Sequence, residues 1–180
     1  MRIIAGQWRG RQLIAPAGAN TRPTADRVRQ ALFDMLLHAP WAGRDAVEGA
    51  HVLDAFAGTG ALGLESLSRG ASCSFFFEQD RTALAALRAN VQACRAEAQC
   101  RIVARDTLRP TVGQACNLVF LDPPYGQDLV PKAVEALRAA GWIAEGALLV
   151  VETSQGEVLP SLGHLLAERQ HGAARLSFWR

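Results

Sequence analysis

Apolar and polar positions follow two different periods along this chain, and the changes of period mark its elements. At the front, RIIAG and RQLIA read as two short strands with Gly6 to Gly10 between them, which predicts a hairpin. PAGANTRPT follows as a loop rich in Gly, Pro, Asn and Thr. Thr24 then stands where a helix cap belongs. Val28, Ala31, Leu32, Met35 and Leu36 recur at helical spacing, predicting a helix over 25–38 that Pro40 stops. Arg27 and Arg29 lie off that stripe and are expected to face a partner.

From His51 onward strands and helices alternate. HVLDAF, SCSFFFE, CRIVAR, CNLVFLD and ALLVVE read as strands. Helices are expected after Gly60, after Asp80 as a cap with Leu84, Leu87 and Val91 inward, and over 129–140. The last stretch, 165–178, reads as two strands joined near His171 and Gly172. This alternation predicts an α/β protein with a mostly parallel sheet, helices on both faces and an antiparallel hairpin at one edge. Ligands of such sheets bind at the C-terminal ends of the strands.

With 180 residues, 49% hydrophobic and 20% charged, the chain is long and apolar enough for one packed core, which excludes a disordered or collagen-like polymer. No apolar run approaches the ~20 residues of a membrane helix, and the front apolar stretch is too short for a secretory signal. Cys73, Cys94, Cys100 and Cys116 form no C-x-x-C pair. They are expected to be reduced thiols of a cytoplasmic protein, and no metal site is expected.

Charge changes the picture more by place than by amount. Net charge is +2, but residues 1–30 hold Arg2, Arg9, Arg11, Arg22, Arg27 and Arg29 against the single acid Asp26. A basic front on a mildly acidic body points to an anionic partner, with RNA or DNA first. All basic residues but Lys132 are arginine, whose planar fork suits phosphates and stacks on bases.

Two motifs carry candidate chemistry. Asp54-Ala55-Phe56-Ala57-Gly58-Thr59-Gly60 closes the first strand of the alternating region and opens a helix. Its glycines allow a tight turn and close approach of a ligand, and the helix start favours a negative group. Gly58, Gly60 and Gly63 also satisfy G-x-G-x-x-G, a weak pattern alone. Glu78 ends the next strand and can accept hydrogen bonds from both hydroxyls of a ribose. Asp106, beyond the third, can take an adenine amino group. Together they point to a nucleoside cofactor.

Asp122-Pro123-Pro124-Tyr125 follows the apolar strand NLVFL. The two prolines fix the backbone and remove donors, leaving carbonyls free to accept. A turn carbonyl and the Asp122 carboxylate offer two acceptors, which match the two hydrogens of an exocyclic amine. Tyr125 can stack on a base.

These two motifs together resemble class I S-adenosylmethionine-dependent methyltransferases that act on amino groups of nucleobases. The wider chain is similar to one family among them, the small-subunit rRNA (guanine-N2)-methyltransferases of the RsmD type. RIIAGQWRGRQL, TRPTADRVRQALFDML, VLDAFAGTGALGLESLSRGA, FFFEQD, Asn90, LVFLDPPY and RQHGAARLSFW carry the likeness over almost the whole chain. The resemblance implies a class I (Rossmann-like) methyltransferase domain over 46–180 and an RNA-facing hairpin and helix over 1–45. It implies S-adenosyl-L-methionine as cofactor, with Asp54, Phe56, Gly58 and Gly60 at the methionine end, Glu78 on the ribose and Asp106 on the adenine. Asp122, Pro123, Pro124 and Tyr125 would grip the target guanine. Arg9, Arg11, Arg22, Thr24, Arg27 and Arg29 would approach RNA. The implied partner is 16S rRNA within an assembling or assembled 30S subunit, with no membrane partner and the enzyme as a monomer. Gln30 and Asp34 depart from the family pattern, which puts a glutamate and an asparagine there.

Three other readings share part of the pattern. An NAD(P)-dependent oxidoreductase accounts for the glycine turn and Glu78 but not for DPPY. A DNA adenine-N6 methyltransferase shares the chemistry but usually carries a larger recognition region. A non-catalytic RNA-binding protein with this fold need not keep both motifs intact.

Overall fold

The computed structural model describes residues 1–16, 23–124 and 126–180. Seven strands form one sheet in the order β3-β2-β1-β4-β5-β7-β6. They are β1 (His51–Asp54), β2 (Cys73–Glu78), β3 (Cys100–Ala104), β4 (Cys116–Leu121), β5 (Ile143–Ser154), β6 (Leu165–His171) and β7 (Ala174–Trp179). The first five pair in parallel, while β7 runs antiparallel to β5 and β6. The strand order reverses beside β1, which is where an open α/β sheet makes its binding crevice.

Alternation along the central strands splits the core in two, with register shifts near the starts of β4 and β6. Val52, Phe76, Leu118, Phe120, Val150 and Phe178 face one side, where they meet α1 (Pro23–His38), α2 (Ala61–Ser68) and α3 (Arg81–Cys94). Leu53, Phe75, Phe77, Val119, Leu149 and Val151 face the other, against α4 (Leu129–Ala139) and Trp142. The Trp142 ring meets Phe75 and Phe77 edge-on, at centroid distances of 5.2 and 5.0 Å.

The front segment belongs to the first of these cores. Ile3, Leu13, Val28, Leu32, Phe33 and Leu36 are buried in the same cluster as the sheet. The expected hairpin is short: Arg2 and Gln12 make a single antiparallel bridge, backed by the amides of Ile3, Gly10 and Leu13 donating to Arg11, Ile3 and Met1 carbonyls. Helix α1 starts at Pro23, so Thr24 is not its cap. Proline is well suited to the first helical position, where its missing N–H costs nothing.

What fixes the front segment is Glu65 of α2, a carboxylate with no exposed surface. One oxygen accepts from the Ile4 amide at 2.7 Å and the other from the Ala5 amide at 3.0 Å. Arg69 donates to it at 2.7 Å, and Arg29 of α1 approaches at 3.8 Å. Just beyond, Gly6 turns with φ +80°, and an added Cβ would sit 1.7 Å from the Ser68 carbonyl oxygen. Only glycine permits this approach, which lets Gln7 donate to that carbonyl and Trp8 to the Ser68 hydroxyl. The Arg29 guanidinium also reaches the Arg2 carbonyl and Asp26, and Arg29 is buried. The expectation that it faces RNA is therefore corrected: it is spent on holding α1 and the front segment to α2.

Removing a partner from such a buried cluster leaves uncompensated charge. Glu65→Ala is expected to destabilise the protein by ~3–5 kcal/mol in chemical denaturation. Hydrogen exchange at the Ile4 and Ala5 amides should quicken well ahead of exchange in the central strands. Unchanged protection at those two amides would refute this role for Glu65.

Candidate active site

The turn from β1 to α2 is stitched to both neighbouring strands. The Ala55 amide donates to the Phe120 carbonyl of β4 at 3.0 Å, and the Ala57 amide to the Phe77 carbonyl of β2 at 2.9 Å. Within it the glycines divide their work. A Cβ on Gly60 would lie 2.4 Å from Leu87, and one on Gly63 2.3 Å from the Phe76 ring, so both serve helix packing. A Cβ on Gly58 would meet nothing within 4 Å. Gly58 has φ +53° and opens on the cavity, leaving room for a ligand against the backbone.

Asp54 ends β1 almost wholly buried, and its carboxylate accepts from the Gly63 amide at 3.1 Å. Burial pushes its pKa up to about 7; the Gly63 hydrogen bond opposes this, and nearby Glu78 adds to it. Glu78, half-buried at the end of β2, accepts from the Gly58, Gln79 and Asp80 amides, each at 2.8 Å. Its side chain is thereby fixed at the cavity wall. Asp106 follows β3 and caps its own turn by accepting from the Leu108 amide at 2.9 Å. Beside it the buried Thr107 hydroxyl donates to the Ala55 carbonyl, tying the β3 turn to the β1 turn. Asn90 of α3, also buried, donates to the Thr59 carbonyl and exchanges two hydrogen bonds with the backbone of Ile14. It links the glycine turn to the front segment.

Asp122 leaves β4 with its surface open to the same cavity. Desolvation by the surrounding protein, then the Glu152 and Asp54 carboxylates, hold its carboxyl well above the usual range. Pro123 is buried and Pro124 exposed behind it, and both line the cavity. Tyr125 and Arg22 lie outside the described residues, as does the side chain of Thr24.

Register explains why these acids meet. Asp54 pairs with Phe76 and Phe120, and Phe120 with Val150, placing these residues in one row across the sheet. Two residues further along their strands stand Glu78, Asp122 and Glu152, on the same face as that row. Glu152 is the site residue that the sequence reading missed. At the end of ALLVVE it carries no turn motif to mark it, and only the β4–β5 register brings it beside Asp122.

The cavity above this row has a volume of about 950 Å³, and it is walled by the glycine turn, Glu78, Asp106, Asp122 and Glu152. Its wall also includes Met1, Val28, Arg29 and Leu32 at the front, Arg105 after β3, and His171 and Ala174 of the closing hairpin. Phe56, Gly58, Asp54, Glu78, Asp106 and Asp122 thus share one space, while Gly60 lies just beneath it. A second, smaller groove of about 520 Å³ runs between the front segment and α1, bordered by Arg2, Arg9 and Arg27, which are exposed. Arg11 is exposed too, but its guanidinium is held by the Ala93 carbonyl at 2.7 Å. Gln30 and Asp34, the two departures from the family pattern, bond to each other at 2.7 Å along the same helix.

Known proteins share the sequence and the fold of this chain. The family model described as conserved hypothetical protein 95 matches residues 1–180. Ribosomal RNA small subunit methyltransferase D of Escherichia coli K12 is 40% identical over 164 residues, which cover 90% of this chain and 79% of that protein. The protein of the same name from Haemophilus influenzae is 37% identical over 180 residues, covering 96% and 89%. Among solved structures, the putative methyltransferase yhhF from Escherichia coli superposes with a TM-score of 0.83 at 36% identity, over 99% of this chain and 96% of its own. The rRNA methyltransferase aviRa from Streptomyces viridochromogenes shares the fold alone, with a TM-score of 0.66 at 16% identity over 93% and 88%. The sheet is therefore that of the class I methyltransferases, and the chain belongs to the conserved hypothetical protein 95 family, that of the small-subunit rRNA methyltransferases of the RsmD type.

Proposed function

We propose that this protein transfers a methyl group from S-adenosylmethionine to the exocyclic N2 amine of a guanine in small-subunit (16S) rRNA. The observation that carries this reading is the placing of Asp122 and its Pro-Pro turn in the same cavity as the open glycine turn, Glu78 and Asp106. The names of the relatives at 40% and 37% identity support rRNA as the substrate class.

The residues present fit the cofactor. Gly58 leaves backbone space, Glu78 is held at the cavity wall by three backbone amides with acceptor capacity left on Oε2 for a ribose hydroxyl, and Asp106 lines the same cavity and would meet the adenine amino group. Asp54 is a buried acid whose charge is costly until a cation arrives, which suits the ammonium or sulfonium end. When bound, S-adenosylmethionine supplies an already activated methyl group. The chain's own task is then alignment and electrostatics. A guanine N2 lone pair is delocalised into the ring and nucleophilically weak, so acceptors that tighten as positive charge grows on nitrogen favour the transition state. Asp122 and a carbonyl of the Pro123-Pro124 turn would supply them. Arg2, Arg9 and Arg27 along the second groove hold phosphates without reading sequence.

Radiolabelled S-adenosylmethionine, offered with unmodified small-subunit particles, total rRNA and unmethylated DNA, tests the reading. Label should appear as N2-methylguanosine from RNA or particles. N6-methyladenine from DNA, or no transfer at all, would overturn it. Asp122→Ala is expected to lower kcat by ~100-fold or more while cofactor affinity changes little. Equal loss of cofactor affinity would move Asp122 to the cofactor's side of the cavity.

Cofactor affinity should also depend on pH. Asp54 must lose its proton to pair with a cation, so affinity rises as pH climbs through about 7. Calorimetry should find binding ~10-fold weaker at pH 6 than on the plateau. Asp54→Asn should flatten this profile, and an unchanged slope would place the titrating group elsewhere.

A further inference from the structure

We infer that Glu152 reads the target base, accepting from its ring N–H and so selecting guanine over bases that carry a lone pair at that position. The inference deepens the proposed function and rests on it.

Three observations place Glu152 for this task. Val151 pairs with Leu121 in the parallel β4–β5 ladder, so Glu152 and Asp122 stand next to each other one step beyond. Strands in a sheet lie ~4.8 Å apart, roughly twice the spacing of a ring N–H and the adjacent amine, so the two carboxyl side chains converge from neighbouring strands to meet one base edge. Glu152 lies on the face that holds Phe120 and Val150, because Val151 faces the other core, and Asp122 leaves the end of β4 into the same cavity. Both line the cavity, with Val28 and Leu32 of α1 contributing an apolar wall to the same space.

The chemistry of the base edge follows from this pairing. Guanine presents an N1–H and an N2 amine side by side, and all of these hydrogens are donors. Two neighbouring carboxyl groups present acceptors side by side. With Asp122 on the amine, Glu152 meets N1–H. Adenine and 2-aminopurine instead carry an N1 lone pair, which a carboxylate repels. A site whose buried polar group is left facing a lone pair rejects that base strongly, more than shape alone would. The proximity of the acids also makes each one's charge costly to the other, and a base with several N–H donors offsets that cost. Glu152 is half-buried and paired in register with Leu176 of β7, so the closing hairpin helps to hold it in place.

The test uses reconstituted small-subunit particles whose methylated position, mapped from the labelled oligonucleotides of a base-specific ribonuclease digest, carries either guanosine or 2-aminopurine riboside. Both keep the amine at C2, and they differ at N1 and at the neighbouring ring carbonyl. The ratio of kcat/KM for the two substrates is measured for the natural protein and for Glu152→Gln, whose amide can donate to a lone pair. The ratio should fall by ~10-fold or more in the variant, with cofactor affinity unchanged. If Glu152→Gln does not fold, Glu152→Asp, which withdraws the carboxylate from N1, should lower the same ratio. A merely structural glutamate would slow both substrates alike. A ratio that stays constant while the natural protein methylates guanosine would overturn the role of Glu152. Failure of the natural protein to methylate guanosine would overturn the underlying reading, and this inference with it.

Discussion

Glu65 is where three parts of the chain are fastened together. Two backbone amides of the front segment, Arg69 at the C-terminal cap of its own helix and Arg29 of α1 converge on its buried carboxylate. A buried charge is tolerable only when it is this fully met, so each donor is held in place by the need of the others. The consequence reaches the cavity. With Arg29 anchored, Val28 and Leu32 of α1 form part of the cavity wall, and with Ile4 and Ala5 anchored, Met1 lies beside Thr59. The front segment is therefore part of the site's wall as well as a carrier of arginines.

Under that wall the sheet does something costly. Its register sets Glu78, Asp122 and Glu152 on one face, with Asp54 one row below. Burial raises the pKa of Asp54, and desolvation by the surrounding protein with the neighbouring carboxylates raises that of Asp122. The Glu78 side chain accepts from three backbone amides. Acids gathered in this way form a poor site for an anion and a good one for cations and N–H donors. A sulfonium cofactor and an amine-bearing base answer that description together. Arg2, Arg9 and Arg27 border a separate groove that shares no lining residue with this cavity, with Asp26 and Asp34 also in its wall.

Much of this was legible in the sequence because it is written in local signals. The alternation of apolar runs marked every strand of the sheet. Asp80 capped α3 as expected, by accepting from the Ala83 amide at 2.8 Å. The glycine turn and the DPP turn declare themselves through residues with special backbone needs. What stayed hidden depends on which strands lie side by side. Glu152 follows an ordinary apolar strand and acquires its meaning from β4. Arg29 looks like its neighbour Arg27, yet it is buried because Glu65 waits 36 positions further along the chain. Phe33, fully buried against Phe120, fell outside the stripe drawn at helical spacing because the helix is covered over a wider arc than the stripe allowed.

The proposed activity requires one cavity to hold both a methyl donor and an amine-bearing base. A crystal structure with S-adenosylhomocysteine and guanosine bound together tests it most directly. The account predicts the homocysteine end against Gly58 and Asp54, ribose hydroxyls on Glu78, adenine beside Asp106, and the guanine amine at Asp122 with its ring N–H towards Glu152. A guanosine seated outside this cavity, or turned so that its amine points away from the sulfur, would contradict it.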